Sequence, residues 1–500
     1  MCDLIRSGAT VSWQSAESLP EVARFRSMFR SLLFLTLVSF SLQAAPPNVL
    51  LLIADNWSYA HAGANGDPVV RTPVFDRMAR EGMRFTHAFC PVPSCSPTRL
   101  CIVTGRAAHQ LEDAASLWSK FPAKFRVFGD ALSESGYHVG FNGKGWAPGN
   151  YKDHGRELNP AGAEFAGFTD FLMARKKAQP FFFWHGSTHT ALNKWQAGGG
   201  KARGIDPAKV RVPKCLPDVP EVREEIADYL AQAELMDAAF GEAIAALEKS
   251  GDLDNTVIIY TSDNGWQMPH GLAHCYDDGT HVPLAVRWPG KVKAGSVSHD
   301  FISLTDFAPT FLELAGLKAW PEMTGRSFVD VLTGKTSAVQ RDHVFIERER
   351  HANVRKGDLS YPVRGIRTAD FLYLRNQRPE RWPAGDPELY FAVGPYGDID
   401  GSRTKAYMIE HAQEPAVQAL FELSFGKRPA EELYDLKTDP EQLVNLAADP
   451  RLKPVKTMLG AKVDDWMRDT NDPRLDAASN VWDTYPYFGS KAKELRQTKQ

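Results

Sequence analysis

One stretch concentrates the reactive side chains: Cys95-Ser96-Pro97-Thr98-Arg99-Leu100-Cys101-Ile102-Val103-Thr104-Gly105-Arg106. Pro97 suits the first turn of a helix and Gly105 its end. Cys95 then lies at the helix N-terminus, where unpaired backbone N–H groups and the helix dipole favour an anion. Arg99, one turn on, adds a planar, permanently charged cation. A free cysteine is also an ordinary packing residue, so this motif alone leaves both readings open. Two acidic corners, Asp55-Asn56 and Asp263-Asn264, each follow an apolar run. Such pairs are common in turns. Two of them after buried strands offer four hard oxygen side chains, a set suited to Ca²⁺ or Mg²⁺ rather than zinc.

These residues need elements that bring them together. The run Asn48-Val49-Leu50-Leu51-Leu52-Ile53-Ala54 is continuously apolar after its first residue, as in a strand buried on both faces of a parallel sheet. Residues 137–141, 181–184 and 256–261 predict further strands. Residues 72–81, with Thr72 as cap, and 127–135 predict helices between them. Residues 221–249 form a long amphipathic helix carrying Ile226, Leu230, Ala233, Met236 and Phe240 on one stripe. Alternating strands and helices indicate an α/β fold with a mostly parallel sheet flanked by helices. Such sheets bind ligands beyond the carboxyl ends of their strands. Polar residues follow all four strands: Asp55-Asn56, Asn142 with Lys144, His185, and Asp263-Asn264. The pattern predicts one site on one edge.

Beyond about residue 335 the pattern changes. Residues 343–346, 364–367, 371–374 and 432–436 are short strand candidates without crossover helices, as in a smaller antiparallel sheet. Residues 452–467 are helical in pattern. The expected organisation is a catalytic domain over 46–335 and a C-terminal subdomain over 336–500.

The 500 residues carry a formal net charge of −3, which argues against a broadly basic nucleic-acid binder. Residues 32–40 are apolar, follow Arg24, Arg26 and Arg30, and precede Ala44-Ala45. This is the layout of a secretory signal peptide over residues 1–45, too short for a membrane span, with Met28 an alternative start. It predicts a periplasmic or secreted protein with no membrane span after its removal. The even count of six cysteines is compatible with three disulfides, but removal of Cys2 would leave five.

Cys-x-Pro-Ser/Thr-Arg followed by Thr-Gly-Arg resembles the signature of the type I, formylglycine-dependent sulfatases. Further matches are Pro47-Asn48-Val49 through Asp55-Asn56, Thr72-Pro73 with Asp76-Arg77, and Gly143-Lys144. Others are Ser262-Asp263-Asn264-Gly265, Arg287-Trp288-Pro289-Gly290, and Glu432-Leu433-Tyr434-Asp435-Leu436 with Asp439-Pro440. The resemblance spans most of residues 46–450 and implies an alkaline-phosphatase-like core. It implies that a maturation enzyme (formylglycine-generating or anaerobic) oxidises Cys95 to formylglycine, whose hydrate attacks sulfur and later expels sulfate. It also implies Ca²⁺, with Mg²⁺ as the lesser candidate, held by Asp55, Asn56, modified Cys95, Asp263 and Asn264. Arg99 would stabilise the modified residue, Lys144 a sulfate oxygen, and His189 would protonate the leaving group, in preference to His185 at the strand end.

Within the family the chain looks most like the heparan N-sulfatase (N-sulfoglucosamine sulfohydrolase) group and related bacterial sulfatases. Tyr59-Ala60-His61-Ala62-Gly63, Asn142-Gly143-Lys144-Gly145-Trp146 and Ser360-Tyr361-Pro362-Val363-Arg364 carry that likeness. The implied substrate is a sulfated saccharide, with His185, His270, His274, His351, Arg364 and Trp382 as candidate contacts. Three positions depart from the family pattern. Asn56 stands where a second Asp is usual, Trp146 where a His is frequent, and Leu272 where a second lysine is usual. His270 and His274 flank Leu272 and are either replacements for that lysine or packing residues. A phosphoryl-transfer hydrolase of the same fold is the alternative enzyme, opposed by Cys95 and the oxygen-only ligand set. A catalytically weakened glycan-binding relative is the third reading; the three departures favour it, and the retained Cys95 and Arg99 oppose it.

Overall fold

The computed structural model describes residues 46–336, 340–388 and 394–489. The apolar run of the expected signal peptide, and Cys2, lie outside them. In chain order the principal elements are β1 (Asn48–Ala54), α1 (Pro73–Glu81), β2 (Met83–Phe89), α2 (Cys95–Thr104), α3 (Phe128–Glu134), β3 (His138–Gly143), β4 (Ala163–Glu164) and β5 (Phe181–Gly186). They continue with α4 (Pro220–Ser250), β6 (Thr256–Ser262), β7 (Leu284–Arg287), β8 (Ser296–Ser303) and α5 (Phe307–Leu314). The last are β9 (His343–Arg348), β10 (Val363–Thr368), β11 (Phe371–Asn376), β12 (Glu431–Asp435) and α6 (Lys453–Asp469).

Eight strands form the main sheet in the order β8-β2-β7-β6-β1-β5-β3-β4. Only β7 runs antiparallel to its neighbours. The expected mostly parallel α/β core is therefore present. Every residue of β1 and β6 is buried, because helices cover both faces. One face packs through Leu51, Ile53, Trp184 and Ile259 against Leu100, Phe128 and Phe311 of α2, α3 and α5. The other packs through Leu50, Leu52, Phe183 and Ile258 against the Ile226, Leu230, Met236 and Phe240 stripe of α4.

The four later strands form an antiparallel sheet in the order β9-β10-β11-β12, as their sequence predicts. Helix α6 covers one face of it through Leu459, Val463 and Met467 against Ile366, Tyr373 and Leu433. The other face packs Ile346, Val363 and Leu374 against Cys275 and Tyr276 of the loop after β6. The described residues between Pro46 and Gly489 form one compact unit.

Two local expectations need correction. Thr72 does not cap α1 with its side chain; its hydroxyl accepts from Gly63 N and donates to Asp76. The free N–H groups of Val74 and Phe75 donate instead to the carboxylate of Asp237 on α4, which adds a negative charge at the helix start. The disulfide reading also fails for the described residues: Cys90, Cys95, Cys101, Cys215 and Cys275 are all free and buried.

Candidate active site

Strands β6, β1, β5 and β3 are adjacent and parallel, so their carboxyl ends share one edge. The register pairs Ala54 with Ser262, which sets Asp55 beside Asp263. At that corner Asn56 takes a left-handed φ of 70°, a conformation asparagine tolerates better than most residues. Its backbone N–H donates to Asp263 Oδ1 at 3.1 Å.

Cys95 begins α2, and Gly105 closes the helix at φ 69° with its N–H on Cys101 O. All ten residues of α2 are buried, so the helix start is held rigidly against the strand ends. Cys95 Sγ lies 3.4 Å from Asp55 Oδ1 and 3.6 Å from Asn56 Oδ1. Ligand atoms of Asp55, Cys95 and Asp263 all lie within 4.8 Å of one another. Arg99 is fully buried; its Nε donates to Asp263 Oδ2 at 2.8 Å and its Nη1 to the carbonyls of Lys144 and Gly145. Lys144 reaches back from β3 to donate to Asp55 Oδ1 at 2.5 Å. Gly143 permits that return: its φ is 67°, and a Cβ there would stand 2.1 Å from Gly186 O.

Burial by itself would raise the Asp55 carboxyl, but Lys144 and Arg99 outweigh it and hold Asp55 below the ordinary carboxylate value. Burial pushes Asp263 up to about 6 against the opposing charge of Arg99. Burial, and then Asp55, push the Cys95 thiol well above its ordinary value. As a plain cysteine it stays protonated and is a weak nucleophile.

The donor set fits a hard divalent cation. Asn264 Nδ2 donates to Asn56 Oδ1 at 2.6 Å and to Gly265 O at 2.9 Å, which leaves Asn264 Oδ1 buried without a hydrogen-bond partner. An orphaned buried acceptor is costly unless something electropositive meets it. The Asp55, Asp263 and Asn56 side-chain oxygens beside Cys95 form an oxygen donor set, the chemistry Ca²⁺ or Mg²⁺ requires.

The two loop histidines differ. His185 sits at the end of β5 with its ring against Phe240, its Nδ1 buried and unpartnered, and burial pushes it down to about 4. His189 lies further along the loop and is only half-buried. Thr190 pins that loop by donating to Asp55 O at 2.7 Å. His351 is buried against the helix start, its Nδ1 2.8 Å from Ser94 Oγ. Trp382 is half-buried under the Lys427 ammonium.

Three expected substrate contacts are corrected. Arg364 is fully buried, with Nε 2.5 Å from Asp472 and Nη2 2.8 Å from Glu349, so it has no surface to offer a saccharide. His270 is 1 % exposed, stacks on Tyr276, and meets Leu423 O through Nδ1. His274 is 4 % exposed, with Nδ1 on Leu272 O. Loop 270–276 is buried against the second sheet, so these histidines have almost no exposed surface, and the Nε2 of each is buried without a partner. Leu272 is itself buried, and Trp146 packs edge-on to Phe121.

Burial, with Arg428 adding to it, pushes His270 down to about 3. Between that value and about 6.5 an unfolded chain binds the proton that the native chain refuses. Stability is therefore full above about pH 6.5 and falls on acidification by up to about 1.4 kcal/mol per pH unit for this residue. His270→Gln is expected to give a shallower fall of Tm between pH 6.5 and 4 than the parent, a range that follows from the ordinary histidine value of about 6.5. Identical slopes would mean that His270 is protonated in the native state.

Gln267 and Asp400 are not among the residues expected from the sequence, yet they touch the site. Gln267 accepts from Asn56 Nδ2 at 2.8 Å and donates to Asp400. The available signal for Gln267 is its place three residues beyond Asn264; Asp400, from the distant C-terminal part, has none.

The family model described as Sulfatase matches residues 47–317. A second, described as N-sulphoglucosamine sulphohydrolase, C-terminal, matches residues 271–384. Human N-sulphoglucosamine sulphohydrolase is 27% identical over 488 residues, covering 88% of this chain and 93% of its own length. An ulvan-active sulfatase of Formosa agariphila is 26% identical over 487 residues, covering 87% of this chain and 78% of its own. The crystal structure of the phosphonate monoester hydrolase of Agrobacterium radiobacter shares the fold, with a TM-score of 0.62 at 19% identity over 85% of this chain and 96% of that one.

Proposed function

The chain belongs to the sulfatase family, and on that premise we propose that it cleaves sulfate ester or sulfamate groups from a sulfated saccharide, with Cys95 matured to formylglycine. The observation that carries the reading is the meeting of Cys95, at the start of a buried helix, with Asp55 and Asp263. The names of the two relatives support a saccharide substrate. The formylglycine hydrate would supply the nucleophile, and a divalent cation, Ca²⁺ by our reading, would draw charge from the sulfate oxygens.

The chain's own residues do the rest. Asp55, Asn56, Asp263 and Asn264 would hold the cation. Arg99 bridges the two acidic corners and fixes their carboxylates, so little reorganisation accompanies charge build-up on the sulfate. Lys144 points its ammonium at Asp55 beside Cys95, where a sulfate oxygen can share it. His189, on a loop pinned to the Asp55 carbonyl, is the candidate donor of a proton to the leaving oxygen or nitrogen. His185 and His351 are candidate wall residues. The apolar run at 32–40 supports export to the periplasm or beyond; no helix among the described residues is long and apolar enough to cross a membrane.

The test is mass spectrometry of the Cys95 peptide after co-expression with a formylglycine-generating enzyme, followed by assay on N-sulfated glucosamine and on O-sulfated sugars. Conversion of the peptide and calcium-dependent sulfate release are expected. A persistently unmodified thiol sinks the formylglycine reading. Release from O-sulfates only removes the sulfamate arm and leaves the rest.

His189→Ala is expected to lower kcat on a saccharide sulfate by about 10²- to 10⁴-fold, the usual range for losing a general acid. An aryl sulfate with an acidic phenol leaving group should lose far less, since that oxygen leaves without a proton. Equal losses on both substrates would assign His189 another role.

A further inference from the structure

Asn56 can present either an oxygen or an NH₂ to the cation cluster, and the two differ only in which hydrogen bonds they make. The neighbouring contacts remove that freedom. Gln267 Oε1 accepts from the backbone N–H of Leu192 at 2.6 Å, a group that can only donate. Gln267 Nε2 donates to the carboxylate of Asp400, which when ionised can only accept. Gln267 is therefore held with its oxygen toward Leu192 and Asn56. Asn56 Nδ2 donates to that same oxygen at 2.8 Å. The Asn56 oxygen is thereby turned the other way, to 3.6 Å from Cys95 Sγ and 2.6 Å from Asn264 Nδ2.

We infer that Gln267, set by Leu192 N–H and Asp400, is a positioning residue that makes Asn56 an oxygen ligand rather than an NH₂ donor at the cation cluster. The inference rests on the reading of Asn56 as a cation ligand. It carries a consequence specific to this chain: residues 56 and 267 are matched. A carboxylate at 56 would point an oxygen at the fixed Gln267 Oε1, setting acceptor against acceptor. The gain in charge would be offset by that repulsion, and loss of Gln267 would relieve it.

The experiment is a double-mutant cycle on the full chain. Calcium affinity is measured by titration calorimetry for the parent, Gln267→Leu, Asn56→Asp, the double variant and Asn56→Ala, with Tm in chelator as a control for folding. Gln267→Leu is expected to weaken calcium binding about 10- to 100-fold, the range for losing an outer partner of a metal ligand. Its Tm in chelator should stay close to the parent's. In the Asn56→Asp background the same replacement is expected to leave affinity unchanged or improve it. Equal losses in both backgrounds, or no loss in the parent, overturn the inference. If Asn56→Ala weakens calcium binding while Gln267→Leu does not, the inference alone fails. If neither the parent nor any variant binds calcium, the cation reading fails with it.

Discussion

Replacement of Cys95 by alanine is expected to lower sulfatase turnover at least about 10⁴-fold, roughly 5 kcal/mol of transition-state stabilisation. The loss should fall on kcat, because Lys144 and the acidic corners that would hold sulfate and cation remain. Stability should change little, since the side chain removed is small and its hydrogen bonds to Asp55 and Asn56, at 3.4 and 3.6 Å, are long. A second result follows from the thiol's environment. Burial and Asp55 keep it protonated, so parent protein made without a maturation enzyme should be as inactive as Cys95→Ala. Sulfate release from defined saccharides, with the maturation state read by mass spectrometry, checks both. Activity of unmatured protein within tenfold of the matured form would show that formylglycine is not the nucleophile.

Arg364→Leu is expected to destabilise the fold by about 3–5 kcal/mol, the cost of breaking a buried ion network by removing one partner. Arg364 joins Asp472 to Glu349, and Arg474 closes the same network at 2.7 Å from Glu349. Its Nη1 also donates to the carbonyls of Val363 and Arg348. Without it, two carboxylates stay buried with diminished compensation where β10 meets the segment after α6. A domain holds only about 5–15 kcal/mol in total, so the loss should show as a large fall in Tm and in soluble yield. The folded fraction that remains should keep the parental KM. A raised KM with unchanged Tm would instead make Arg364 a substrate contact.

Four adjacent strands of the eight-stranded main sheet (β6, β1, β5 and β3), their polar ends, and the helix opening at Cys95 are legible in the sequence because their signals are local. Uninterrupted apolar runs, the heptad-like stripe of α4, Pro97 and Gly105 each act within a few residues. The antiparallel second sheet is legible for the same reason. The capping of α1 is not, because Asp237 reaches it from another helix and competes with the nearer Thr72.

The sequence by itself therefore determines which residues can meet at the strand ends: Asp55, Asn56, Lys144, Asp263 and Asn264, with Cys95 facing them. Tertiary structure alone decides what the remaining polar residues do. An arginine that binds a saccharide and one that neutralises buried acids are the same residue, and only Asp472 and Glu349 beside Arg364 separate the cases. His270 and His274 flank a site motif yet lie buried with the loop that the second sheet covers. Which end of the Asn56 amide faces Cys95 is set by Asn264 and by Gln267, and Gln267 is in turn held by Leu192 and Asp400, 136 and 344 residues from Asn56 along the chain. Periodicity carries burial, but the partner of a buried polar group is chosen by contacts that have no period.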